Sequence, residues 1–232
     1  MIEKSTGNEN RGRYLEAIIL YAALYLSPSL TALTGINQIE NGVTIEFPIT
    51  ASIIRIILYI IPSIALILYL MQTPRKIDFK ALKPEKKDLI CGIITLPSLL
   101  LIGIIISILS AYTSESFMEI TYIIPSTITG WLILIIFCFF SAYFEEVFFR
   151  FYLISKKDEL NMSTPAVLVF STTLFAICHI YEGFWGVLNA SAAGLVLGII
   201  FIRYKSLHGI SIAHALYNIT AYIIYAYTVS HN

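Results

Sequence analysis

Residues 137–153 read FCFFSAYFEEVFFRFYL, placing two carboxylates, Glu145 and Glu146, and the guanidinium of Arg150 inside an otherwise apolar, aromatic stretch. Further on, two histidines stand in apolar surroundings: His179, four residues after Phe175, and His214, four residues before Asn218. In a helix, residues four apart share a face, so Glu146 can pair with Arg150 and His214 can address one point together with Asn218, whereas Glu145 points about 100° away from Glu146. An acid, two imidazoles and an amide are the groups that water-mediated hydrolysis of an acyl bond needs. A desolvated carboxylate is a stronger proton acceptor, a neutral imidazole orients water, and His or Asn N–H donors stabilise a tetrahedral oxyanion.

The elements that carry these groups are membrane helices. Of 232 residues, 57% are hydrophobic and 13% charged, too little polar surface for a soluble domain of this size. Apolar runs of the length that crosses roughly 30 Å of hydrocarbon recur about seven times. Spans are expected at 14–34, 49–71, 88–110, 126–152, 165–182, 184–204 and 207–229. The fold expected is therefore all-α, a polytopic transmembrane helical bundle forming one domain over 1–232. The first thirteen residues read as a solvated tail, and the run after them as a retained first span. Pro62 and Pro97 are candidate kinks.

Charge position orients the bundle. Lys4, Arg11 and Arg13 precede the first span; Arg75, Lys76, Lys80, Lys83, Lys86 and Lys87 follow the second; Lys156 and Lys157 follow the fourth; Arg203 and Lys205 end the sixth. The alternate connections, around Glu40 to Glu46, Glu115 to Glu119 and Tyr181 to Phe184, carry no Lys or Arg. Apart from Arg55 and Arg150, every basic residue falls on one side, which places the N-terminus in the cytoplasm and the C-terminus outside, in a cell-membrane protein. The loop 72–88 reads as topology-setting rather than as a docking patch. Zero net charge speaks against nucleic acid as a partner. Cys91, Cys138 and Cys178 have no CxxC spacing and read as packing residues.

Within a bilayer each of these ionisable groups costs about 2.5–3.5 kcal/mol at a helix centre, so they are expected to face partners. The competing reading has Glu145, Glu146 and Arg150 near the cytoplasmic end, snorkelling to headgroups. A lone histidine on an apolar helix is more often a packing residue, but two of them with a carboxylate pair and an asparagine are harder to dismiss. Ser211, in a run resembling GxSxG, with His214 three residues on, suggests a serine peptidase only weakly. Asp78, Asp88 and Asp158 lie in loops, which excludes an aspartyl intramembrane site.

Read together, Glu145-Glu146-xxx-Arg150, Phe175-xxx-His179 and His214-xxx-Asn218 resemble, in order, the EExxxR, FxxxH and HxxxN motifs of the CPBP intramembrane proteases, also called the CAAX protease and bacteriocin-processing or Abi family. The flanking text around Ala193 to Gly198 and Arg203 is similar too. The resemblance covers about 126–222, which marks that stretch as the catalytic core. It implies an endopeptidase acting on a membrane-associated protein or peptide in the lipid bilayer, of CAAX or leader type, at a cytoplasm-facing cavity. It further implies that Glu145 activates water with His179, that His214 and Asn218 bind the oxyanion, and that Glu146, Arg150 and Phe175 support them. The family has been described both as glutamic and as metalloproteases. No HExxH is present, and a site without metal or other cofactor is the favoured reading, with zinc the alternative. A proton-coupled transporter, or a non-catalytic immunity or scaffold protein on the same fold, are the rival functions.

Two departures are notable. Phe151 stands where the family's arginine is usually followed by glycine. On ideal helices, moreover, His179 lies about 21 Å above Pro165 while Glu145 and His214 lie about half as deep, so the fifth helix must start low or tilt.

Overall fold

The structure, a computed structural model, describes residues 3–30, 47–72, 82–113 and 123–231. Arg75, Lys76, Lys80 and Asp78, and the connections around Glu40 to Glu46 and Glu115 to Glu119, lie outside these. Among the described residues there are seven helices and no strand. Helix α1 runs over Glu3–Tyr21 and on through a π turn, Ala22–Leu26; α2 is Ile49–Met71, α3 Lys86–Tyr112, α4 Ile128–Ser155, α5 Thr164–Ile177, α6 Gly183–Tyr204 and α7 Leu207–His231. The polar start of the chain is thus already helical at Glu3, where a solvated tail was expected.

Among the described residues four helices are long and apolar enough to cross a membrane: α2, α3, α4, and α6 with the turn Ile180–Glu182 before it. Helix α5 is apolar but shorter, and in α7 three histidines, Asn218 and several tyrosines dilute the apolar character. Helices α2 and α3 turn large apolar side chains such as Leu58, Leu89 and Ile93 outward, as lipid-facing helices do. Helix α4 differs in its C-terminal half, where Phe144, Glu146 to Arg150 and Tyr152 to Ile154 are all buried, so that this half is enclosed on every side. Helix α7 packs on α3 and α4, and α5 and α6 close the bundle around them.

Three helices contain a π turn, Ala22–Leu26 in α1, Ile56–Ile60 in α2 and Val147–Tyr152 in α4. A π turn holds one residue more than an α turn and loosens the i→i−4 ladder, which in lipid has to be compensated from neighbouring helices. Hydroxyls supply this. Tyr25 OH donates to Phe144 O at 2.8 Å, Ser171 Oγ to Phe149 O at 2.5 Å, and Tyr59 OH to Leu24 O. The turn in α2 ends two residues before Pro62, whose missing N–H removes one ladder bond in any case. Pro97 lies within α3 with the helix continuing on both sides. Phe151 falls inside the α4 turn, so the helix continues past it to Ser155.

One end of the bundle is polar. There Glu16 accepts from Tyr152 OH at 2.6 Å and Lys156 Nζ at 3.0 Å, Arg13 reaches Glu159 at 3.6 Å, and Ser206 bonds Asp88. These contacts bring together the start of α1, the end of α4, the start of α3 and the α6–α7 connection, which are the connections that carry the described basic residues. The remaining core is aromatic: Tyr25 stacks on Phe144 with ring centroids 4.6 Å apart and meets Phe148 and Phe149.

Candidate active site

Burial forces a partner onto each charge of α4. The side chains of Glu146 and Arg150 have 0% exposure, and Arg150 Nη1 donates to Glu146 Oε1 at 2.9 Å, the i,i+4 pair anticipated from spacing. Nη2 donates to Gly194 O at 3.2 Å, and the guanidinium lies 4.3 Å from the Phe175 ring centroid. Arg150 therefore does not snorkel. The approach depends on Gly194 lacking a side chain, because a Cβ there would stand 2.9 Å from Phe175 Cδ1 and 3.4 Å from Arg150 Nη2.

The same Glu146 oxygen lies 2.9 Å from His214 Nδ1. A carboxylate held by arginine can only accept, so Nδ1–H is the donor, and Nε2 is the nitrogen left for other chemistry. It stands 3.7 Å from Glu145 Oε2. Glu145 Oε1 accepts from Ser141 Oγ at 3.3 Å, while Oε2 has no hydrogen-bond partner. The chain Arg150–Glu146–His214–Glu145 thus ends on a carboxylate oxygen free to take a proton.

Glu145, His179, His214 and Asn218, together with Phe175, line one cavity of about 480 Å³. His214 and Asn218 do share a face of α7. His179 is not inside a span: α5 stops at Ile177, and His179 begins the turn to α6, completed at Gly183, whose φ of 71° with ψ −176° only glycine adopts readily. Its Nδ1–H donates to Phe175 O at 2.7 Å, and its ring packs 4.6 Å from that of Phe175. Phe175 also faces the His214 ring at 6.0 Å, so it is a wedge between the arginine and both imidazoles. The depth conflict is eased from two sides, since α4 extends to Ser155 and α5 ends early. The imidazole in contact with Glu145 is nevertheless His214 and not His179.

The cavity runs from Glu145 away from the basic end, towards Phe47 and Pro48 before α2 and Ile123 before α4. On the orientation expected from charge, that mouth lies away from the cytoplasm, where a cytoplasm-facing cavity was expected. Its wall also holds groups the sequence reading did not select. Glu182 is the one acid between Pro165 and the end of α6, Asn189 interrupts an apolar helix and bonds Tyr217 OH at 3.0 Å, and Arg55 is the basic residue out of step with the charge pattern. Each is a polar residue inside an apolar run, the signal that found Glu145. Ser211 is fully buried, has no hydrogen-bond partner and does not line the cavity; Asp88 is bound at the polar end. Among the described residues no three His, Cys, Asp or Glu side chains gather as metal ligands.

Glu145, His179, His214 and Asn218 thus bring an acid, two imidazoles and an amide to one interior cavity of an apolar helical bundle that contains membrane-length helices. Residues 126–220 match the family model described as Rce1-like, type II CAAX prenyl endopeptidase Rce1-like, in agreement with the CPBP and CAAX protease resemblance. The matched stretch is 95 of the chain's 232 residues and contains Glu145, Glu146, Arg150, Phe175, His179, His214 and Asn218. No curated protein and no solved structure matches the chain.

Proposed function

We propose that the protein is a multi-pass endopeptidase of the cell membrane that hydrolyses a peptide bond with water activated by Glu145. All seven helices span, the N-terminus is cytoplasmic, and 126–222 forms the catalytic core of a single domain. The observation that carries this reading is the unpartnered Glu145 Oε2 at the cavity, 3.7 Å from an imidazole whose other nitrogen is fixed by a buried ion pair.

Glu145 takes a proton from water as its oxygen attacks the scissile carbonyl. The negative charge moves to the carbonyl oxygen, where His214 Nε2, when protonated, and the Asn218 amide donate. The intermediate collapses with cleavage of C–N, and the proton held by Glu145 passes to the departing amine. His179 lines the same cavity and helps to hold the water. No metal enters this scheme, because a carboxylate base needs no Lewis acid.

The test uses the full chain in lipid nanodiscs with a farnesylated, internally quenched CAAX-type peptide, and mass spectrometry of the products. Glu145→Gln is expected to lower kcat by about 10²–10⁴ with helicity unchanged. Wild-type turnover in that variant refutes the role of Glu145. Stoichiometric zinc in active, chelator-treated protein overturns the metal-free scheme, and binding of the peptide without cleavage by wild type favours a scaffold.

A further inference from the structure

Arg55 and Arg150 are the two arginines out of step with the charge pattern, and their surroundings are opposite. Arg150 is sealed and neutralised by Glu146. Arg55 lies six residues into α2, about 9 Å from its start, is exposed, and makes no ion pair with any described carboxylate. Its guanidinium is nevertheless directed inward: Cζ stands 5.7 Å from the ring centroid of Phe137 on α4 and 6.0 Å from that of Tyr59, and the residue lines the same cavity as Glu145. An arginine that snorkels would extend along its own helix into the headgroups. One that lies over the ring of a facing helix, at the wall of a polar cavity, presents a permanent cation to whatever enters.

We propose that Arg55 binds a carboxylate of the substrate peptide and thereby sets which bond lies over Glu145; the proposal rests on the endopeptidase reading above. The fork of N–H donors on a guanidinium matches a carboxylate in bidentate geometry, and the apolar surroundings strengthen the pairing. Position supplies the ruler. Phe137 and Glu145 are eight residues apart on one helix, about 12 Å, and an extended chain covers about 3.3–3.6 Å per residue. That rise is the reach of three to four extended residues, which sets the scale of the separation between a carboxylate at Arg55 and a bond at Glu145. Two sources share this chemistry, the free C-terminus of the substrate and an acidic side chain at that distance.

Three peptides separate them on the full chain in nanodiscs: one with a free C-terminal carboxylate three residues past the bond, its C-terminal carboxamide, and a carboxamide with Glu at the third position past the bond. Wild type is expected to favour the free acid over the amide by roughly 10- to 100-fold in kcat/KM, mainly through KM. Arg55→Gln brings that ratio near one, and Arg55→Lys recovers it in part. Recovery by the Glu-bearing carboxamide identifies a side-chain carboxylate as sufficient; its failure assigns recognition to the free terminus. Binding of the same peptides to Glu145→Gln protein, read by fluorescence anisotropy, requires no turnover and is expected to show the same dependence on Arg55. If wild type cleaves none of them, the endopeptidase reading fails while the binding measurement still decides the role of Arg55. Equal affinity for acid and amide in wild type, or a preference that survives Arg55→Gln, overturns the proposal.

Discussion

Replacing Arg150 by Met removes the guanidinium while retaining a flexible apolar stem that fills much of its volume. What remains is the Glu146 carboxylate at 0% exposure, with one oxygen on His214 Nδ1 and the other without a hydrogen-bond partner. Breaking a buried pair by removing one member costs about 3–5 kcal/mol, because the surviving charge stays desolvated. Loss of the contact with Gly194 O and of the face of Phe175 acts in the same direction. Glu146→Gln combined with Arg150→Met removes both charges, and the glutamine carbonyl can still accept from His214. The double variant is therefore expected to be more stable than Arg150→Met alone, with a coupling energy of about 2–3 kcal/mol. Equilibrium unfolding in mixed lipid–detergent micelles, followed by the fluorescence of Trp131 and Trp185, measures both quantities. A cost below about 1 kcal/mol for Arg150→Met, as for a solvated ion pair, would falsify the sealed geometry.

Gly194→Ala is expected to cost about 1–3 kcal/mol, since the new methyl meets Phe175 at 2.9 Å, and to reduce activity by displacing the wedge between Arg150 and the imidazoles; unfolding and turnover assays check both effects. Ser211→Ala should retain wild-type cleavage, with stability unchanged or slightly raised, because the hydroxyl is buried without a partner; a loss of activity would revive the serine alternative. All three native cysteines are buried, so engineered ones report orientation against a low background. A membrane-impermeant maleimide should label Pro48→Cys in intact cells and Lys157→Cys only after permeabilisation, and the reverse pattern would invert the proposed topology.

Much of this was legible in the chain because it is local. The Glu146–Arg150 pair follows from four-residue spacing, and the helices follow from the lengths of apolar runs. The cavity partnership of His214 and Asn218 is again spacing within one helix. What spacing cannot carry is register between helices. The bond from His214 to Glu146 joins residues 68 apart, so Glu146 reads from sequence as support for Arg150 and not as the group that fixes the imidazole. The end of α5 at Ile177 escapes an apolar run that continues through Ile180, and it moves His179 from a helix face to a turn. The π turns have no composition of their own; they show only through the hydroxyls of Tyr25, Tyr59 and Ser171 on neighbouring helices.

The π turn of α4 makes that helix two rods keyed at a fixed angle. At its end Tyr152, and beyond it Lys156, are clamped to Glu16, and above it Glu145 looks into the cavity. Deleting a single residue between Val147 and Tyr152 would restore a regular spiral and swing the upper rod by about 100° relative to its clamp. The aim of the carboxylate is thus set by residue count as well as by residue type, and deletion of Phe151 alone would disable the protein while leaving each of the three motifs intact.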